Sequence, residues 1–514
     1  MEQKIDIKAR LLLFFFVAWG AMIFWIAPHP PMVDFPQHAA QISLLKDLLT
    51  GKSPWSGQLQ INLVTPYLIG YGLATLLSFL MPIVTAMKLL LSLAYILFVA
   101  VCIRYRKRVS ADSRLDWIFI PTFFGFCYSW GLYTFLLAAP IGLYFILQAE
   151  RYASRPTIRR GAVVIAIGLL LLISHGMTFV LGWGTGLALL TLRMRQWKAL
   201  TRYLPYAILL LAGYIFYESG KQIDATLIQS PVAFDYGTSM LGRMREAALF
   251  PFSSQMKIGT DRSFIPVVLA IFIAPFLLGL RLNWRHPAAW APFVCVATLF
   301  FGLPNTADNT ALLYSRYSLF LLPVYAWLFT SGEPGKETAF QRKGIWPALS
   351  LTILVLACSY VLGLTSLRVW RFSQETKEFD AKVRQLAFGH RALGLIFDPS
   401  SQAAENYVPY VHYTAWYQAE NKGLTDFNFA WFTPQVVRYR PGAGPAVSLG
   451  FEWVPGSFDW KKHQGASYRY FFVRGKHDAG QLFRTAPCIP KVVIDSAPWK
   501  VYENCALSGG AQSN

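Results

Sequence analysis

The pattern of apolar and polar positions divides the chain in two. Up to about residue 366, apolar runs of near membrane-helix length recur between short polar loops, and beyond it they stop. A helix that crosses a bilayer needs roughly 17–25 apolar residues. Runs near 11–27, 83–103, 117–127, 131–148, 161–175, 177–192, 203–217, 264–280, 288–303, 318–330 and 345–366 are read as crossings, about eleven in all. The segment 61–81 (INLVTPYLIGYGLATLLSFLM) is also long enough to cross. Counting it would put Arg104 to Arg108 on the opposite side from the other basic loops, so it is read as re-entrant or lying along the outer surface. The pattern predicts an α-helical polytopic membrane protein with a small soluble domain at its C-terminal end.

Composition agrees. The 514 residues are 54% hydrophobic and only 14% charged, against roughly 25% charged in ordinary globular domains. This excludes a cytosolic enzyme, a disordered chain and a small disulfide scaffold. The net charge of +20 sits mostly in short loops: Lys4, Lys8 and Arg10; Arg104, Arg106, Lys107, Arg108 and Arg114; Arg151, Arg155, Arg159 and Arg160; Arg193, Arg195, Lys198 and Arg202; Arg281 and Arg285; Lys336, Arg342 and Lys343. Short Lys/Arg-rich loops mark the cytoplasmic face, and they would favour anionic lipid head groups. Without interleaved aromatic platforms they do not read as a nucleic-acid surface. The basic start is followed by an apolar run and then Pro28-His29-Pro30-Pro31 rather than a small-x-small cleavage site, so it reads as an uncleaved signal anchor with its N-terminus inside. The expected layout is a membrane domain over 1–366 in a bacterial inner membrane, with outer loops 28–60, 218–263 and 304–317. A periplasmic domain over 367–514 completes it.

Within the first outer loop, VDFPQHAAQISLLKDLL reads as an amphipathic helix on the membrane. The tail reads as a small α+β domain: a polar helix over 372–388, a break at Gly389-His390, and strands near 392–397, 436–440, 468–475 and 492–503, with 506–514 frayed. Cys102, Cys127, Cys295 and Cys358 lie in apolar spans and pack there as small hydrophobes. Cys488 and Cys505 lie in the tail, in an oxidising compartment, and are expected to pair. The loop they close is worth roughly 3 kcal/mol in the chain-entropy model. No CxxC or His/Cys cluster has metal spacing.

Asp34 stands just past the first span, in MVDFPQH. Two readings are open: Asp34-x-x-Gln37 resembles a capping box, and a carboxylate there also suits a general base for a lipid-borne substrate. His38, one turn on, shares a face with it. His175, in LLISHGM, marks the outer end of a hairpin, and a histidine between apolar runs needs a polar partner or a water-filled cavity. Arg316, in LLYSRYSLF, stands where the chain re-enters the membrane. It suits bidentate phosphate binding or interfacial snorkelling beside Tyr314 and Tyr317. Lys88 is a charge inside a span. Arg243, Arg245 and Lys257 are further phosphate candidates or a solvated loop face. The aromatic runs 127–135 and 407–418 read as interfacial belts, with sugar stacking as the alternative.

Taken together, VDFPQH after the first span, the outer SHG, the SRY before a late span and the C-terminal outer domain resemble the GT-C superfamily of integral-membrane glycosyltransferases. That superfamily includes the protein O-mannosyltransferases and the lipid A aminoarabinose transferases. The resemblance implies transfer of a sugar from a polyprenyl-phosphate carrier to a lipid, polysaccharide or protein acceptor at the outer face, commonly with inversion. It makes Asp34 the general base, with His38 and His175 in support. Arg316, with Lys88 or His175 and with Arg243 and Arg245, would stabilise the leaving phosphate. Asp34 lacks the paired carboxylates of metal-using relatives, so no cofactor or divalent metal is expected. The competing readings are a flippase or transporter of a lipid-linked saccharide and a polysaccharide polymerase or ligase. The first would prefer paired repeats with broken helices, the second a large outer loop between spans.

Overall fold

The computed structural model of the chain describes residues 7–194, 197–224, 234–253, 261–307, 310–331, 346–405 and 408–505. Lys4, Arg195, Lys257, Lys336, Arg342, Lys343, Tyr407 and the 506–514 end lie outside these, as do the side chains of Lys8 and Lys198. In chain order the main helices are α1 (Ile7–Ile26), α2 (Phe35–Leu49), α3 (Leu68–Ser78), α4 (Ile83–Arg108), α5 (Tyr133–Ser154), α6 (Ile158–Leu172), α7 (Gly176–Arg193), α8 (Leu204–Asp224), α9 (Met240–Leu249), α10 (Ile265–Leu277), α11 (Pro287–Gly302), α12 (Ser318–Ala326), α13 (Trp346–Val383) and α14 (Ala415–Asn421). The main strands are β1 (Leu59–Ile61), β2 (Arg391–Ile396), β3 (Leu424–Thr425), β4 (Val437–Tyr439), β5 (Tyr470–Arg474), β6 (Lys491–Ser496) and β7 (Trp499–Glu503). The chain forms two compact units, one of Met1–Ile26, Lys88–Ser219 and Gln229–Leu367, the other of Ala27–Met87, Gly220–Ile228 and Arg368–Asn514.

The first unit is helical. Among the described residues, five helices are long and apolar enough to cross a membrane, within α1, α4, α5, Leu200–Gly220 and α13. Phe14, Phe15, Leu93, Leu97, Leu210, Leu211 and Leu356 are all exposed. Such a girdle is unfavourable in water and is solvated by lipid tails. α5 is the central helix, buried along most of its length. α7 comes close against it because Gly182 and Gly186 carry no side chain: a Cβ at Gly182 would fall 3.0 Å from Phe145, and one at Gly186 2.7 Å from Tyr206 and 3.0 Å from Ala149. Small residues at such contacts are a common route to close packing of membrane helices.

Among the described residues, five of the eleven expected crossings are helices long and apolar enough to cross, and of the others two depart furthest from a continuous helix. Around 117–127, Pro121 and Gly125 break the run into 3-10 turns, Ser113–Phe119 and Pro121–Phe124, and a one-turn helix, Phe126–Ser129. Over 318–330, α12 has nine residues, roughly 14 Å at 1.5 Å per residue. The chain then turns so that Phe329–Thr330 pairs with Arg281–Leu282. The 61–81 segment forms β1 and the 11-residue α3. At about 16 Å, α3 is too short to cross.

Among the described residues, the basic segments near 104–114, 150 and 193 and the 281–285 loop meet at one end of the first unit. Glu150, 1% exposed at its side chain, takes Arg108 from the end of α4 and Arg193 from the end of α7. Arg106 grips Asp116 bidentately, both bonds 2.9 Å. Asn283 donates to the Val109 carbonyl, and Asp112 N–H to that of Phe329. Arg106 is buried with its partner, and the more exposed Arg108 and Arg193 are paired to a buried carboxylate, so these are not purely solvated loop charges.

The second unit holds a five-stranded sheet in the order β6-β7-β5-β2-β3. β2 runs parallel to β5 and β3, and the β6–β7 hairpin runs antiparallel. Every residue of β5 (YFFVR) is buried, as a strand covered on both faces requires. Leu393, Leu395, Phe471, Val473, Trp460 and Phe483 form the core on one side. On the other, Phe379 of α13 stacks on Trp499 at 4.2 Å. Cys488 and Cys505 are disulfide-bonded.

The first outer loop belongs to this unit's core. α2 was expected on a membrane surface, but Phe35 through Leu45 are all buried. Gln37 bonds the Phe427 carbonyl and the Phe429 N–H, and Gln41 takes the Val437 N–H. β1 pairs with β4. The aromatic run near 407–418 packs inward rather than forming a belt: Tyr410, Tyr413, Trp416 and Tyr417 are at most 3% exposed.

Candidate functional site

Asp34 is the N-cap residue of α2 in position, but its side chain makes no capping hydrogen bond, and Gln37 is committed elsewhere. The capping-box reading therefore fails. Asp34 Oδ1 instead accepts from His412 Nδ1 at 3.0 Å. His412 is 8% exposed and lies in the turn before α14. Phe427 stacks on its ring at 5.3 Å, and Phe429 meets it edge-on. Its Nε2 is sealed from solvent with no hydrogen-bond partner among the described residues. Glu452, in the 3-10 turn Phe451–Trp453, is a second carboxylate within electrostatic reach of His412. Burial pushes its pKa up, with His412 opposing. Its Oε2 is also a buried atom with no partner among the described residues.

His38 faces a different group. Its Nδ1 lies 2.7 Å from the Tyr71 hydroxyl, which itself donates to Gln435 at 2.8 Å. Tyr71 therefore accepts from His38, fixing the ring proton on Nδ1.

Another histidine of this unit is fully enclosed. His29 Nδ1 lies 3.0 Å from Asp380 and its Nε2 2.7 Å from Glu420, and the ring stacks on Trp416 at 4.0 Å. Burial alone would lower its pKa, but the two carboxylates outweigh it and hold the pKa above the ordinary value. Tyr413 donates to the other Asp380 oxygen, and Arg384 to Glu420.

In the first unit, the structure brings His175 and Arg316 together. His175 caps α7, its Nδ1 accepting from Met177 N–H at 3.2 Å. The ring proton is then on Nε2, 3.5 Å from Arg316 Nη1. Donor stands beside donor at the positive end of a helix, an arrangement that an anion's oxygen relieves. Arg316 is steadied by the carbonyls of Leu312 at 3.1 Å and Ala311 at 3.0 Å. This cluster lies at the end of α7 away from Arg193. Lys88, buried on α4, likewise stands about 30 Å along its helix from Arg108.

Arg243 is not placed to hold phosphate. It is 2% exposed, and its guanidinium donates to the carbonyls of Phe300, Phe301, Leu303 and Tyr236 and lies over the Tyr314 ring at 4.1 Å. It is a clamp on the end of α11. Arg245 is exposed on α9. Among the described residues no group of three or more His, Cys, Asp or Glu side chains could hold a metal ion. Sequence reasoning missed His412 and Glu452. The only trace of His412 was its place in the aromatic run, and nothing in the chain links it to Asp34 across 378 positions.

No protein-family model matches the chain, and no curated protein matches it in sequence. Among solved structures it is similar to ArnT from Cupriavidus metallidurans bound to undecaprenyl phosphate, at a TM-score of 0.56 and 10% identity, over 97% of this chain and 98% of that one. The apo state of the same enzyme gives 0.54 and 11%, over 97% and 99%. The chain therefore shares the fold of that structure over nearly the whole of both chains.

Proposed function

We propose that the protein is a membrane glycosyltransferase that moves a sugar from a polyprenyl-phosphate carrier to a lipid, polysaccharide or protein acceptor. The observation that carries the reading is the shared architecture, spanning nearly the whole of both chains. The solved relative binds undecaprenyl phosphate, and a donor of that class suits the His175–Arg316 cluster. As the phosphate leaves, charge grows on its oxygens. A guanidinium and an imidazole N–H already aimed together at a helix N-terminus stabilise that charge without reorganising. Lys88 is assigned the same role. Deprotonation of the acceptor depends on Asp34, direct displacement of the carrier phosphate inverts the anomeric centre, and no metal takes part. The end with the Arg108–Glu150–Arg193 cluster is assigned to the cytoplasm of a bacterial inner membrane, and the tail to the periplasm.

The test is release of undecaprenyl phosphate from a panel of labelled undecaprenyl-phospho-sugars by purified protein in nanodiscs, with membrane lipid extract as acceptor. The wild type should release the carrier, and Arg316→Ala should need more donor. Intact donor with every sugar and acceptor tried, from folded protein, would contradict the reading.

A further inference from the structure

The proton of the acceptor has two places to go, and the geometry separates them. Asp34 Oδ1 is occupied by His412 Nδ1. That oxygen is engaged by the ring N–H and is not free to take the acceptor's proton. The imidazole is the reverse case. With an ionised carboxylate at Nδ1, the neutral ring must carry its proton there, which leaves the lone pair on Nε2. That Nε2 has no partner among the described residues and is sealed from solvent, on a side chain 8% exposed. An unsatisfied buried acceptor is unfavourable, and a donor hydroxyl removes the penalty.

We propose that His412 is the catalytic base, with Nε2 the atom that meets the acceptor hydroxyl and Asp34 the positioning residue that sets its tautomer. The proposal rests on the reading that acceptor deprotonation depends on Asp34. In the step, the acceptor oxygen bonds to the anomeric carbon while that carbon's bond to the carrier phosphate breaks, the electron pair leaving on the phosphate. The hydroxyl proton passes to Nε2. The imidazolium so formed has Asp34 at 3.0 Å and Glu452 as its other charged neighbour, while Phe427 and Phe429 cover the ring.

His412→Asn separates the alternatives, because its side-chain N–H can still reach Asp34 while Nε2 is gone. In the nanodisc assay it should lose about 10²–10⁴ in kcat. Asp34→Asn should lose a similar factor, and the double variant should be no slower than the slower single, as groups acting as one unit behave. His412→Ala should recover turnover with added imidazole, which a structural role would not allow. The wild-type rate should rise through an apparent pKa in the histidine range, and that limb should vanish in His412→Asn. If His412→Asn keeps its turnover while Asp34→Asn loses it, the Asp34 reading stands and the Nε2 role falls. If both keep it, both fall. A measurement free of turnover stands beside these: nitrogen-15 NMR of labelled histidine should show His412 neutral with its proton on Nδ1, and a proton on Nε2 in its place would overturn the proposal.

Discussion

His29 and His412 lie in the same compact unit, and each is held by a carboxylate at 3.0 Å and by an aromatic ring. They differ at the second nitrogen. His29 meets Glu420 there at 2.7 Å, and its carboxylates are themselves tied to Tyr413 and Arg384. His412 offers an Nε2 with no partner among the described residues. A buried histidine satisfied on both sides holds a fold together. One satisfied on a single side has an atom reserved for something else. The difference assigns stability to the first histidine and chemistry to the second.

Breaking the closed site should have the largest effect. His29→Ala leaves the buried Asp380 and the half-buried Glu420 without their shared cation, which costs about 3 kcal/mol, read as a lower denaturation midpoint. Turnover per folded molecule should not change, and a loss of turnover without a loss of stability would erase the distinction between the two histidines. Replacing Cys488 by Ser should cost roughly 3 kcal/mol in the same melt, by releasing the end of β7 from the loop before β6. Arg316→Ala removes a charged hydrogen-bond donor worth about 1.5–3 kcal/mol, so the KM for the donor should rise roughly ten- to a hundredfold with the melt unaltered.

The pH dependence sharpens the contrast. The His29 pKa is raised above its ordinary 6.5, so its contribution to stability is complete below that value. It fades as pH rises through the raised value. The Glu420 pKa is lowered from 4.5: burial would raise it, and His29 and Arg384 outweigh that. Its contribution is complete above 4.5 and fades as pH falls through the lowered value. Melting temperature should therefore decline on the alkaline side of 6.5, and this decline should be absent from His29→Ala. The smallest expected effect is that of a chelator: on the proposed role of His175 and Arg316 as the fixed groups that meet the phosphate, EDTA should leave transfer unchanged within about twofold.

Much of the fold was legible in the chain. Long apolar runs gave α1, α4, α5 and the first part of α13, and strand-like runs gave β2, β5 and the stretch of β6 and β7, though not the turn that divides that stretch into two strands, because each of these signals is local. Two expected crossings failed for local reasons as well, Pro121 and Gly125 in one and a nine-residue helix in the other. The site was legible only in halves. Asp34, His175 and Arg316 stood out as polar residues beside apolar runs. The pairing of Asp34 with His412 depends on α2 packing against α14, a tertiary event with no local signature. The same holds for Arg243, which reads as a loop cation and is a buried clamp because four carbonyls converge on it.

The central claim is tested most directly in proteoliposomes loaded with an undecaprenyl-phospho-sugar labelled in its sugar, with wild type compared to Asp34→Asn. The account predicts that wild type cleaves the sugar from its carrier and labels an acceptor, and that the variant melts like wild type but transfers about 100-fold more slowly or worse. Movement of the intact lipid-linked sugar across the bilayer by both proteins, with no cleavage, would contradict it and make the protein a transporter.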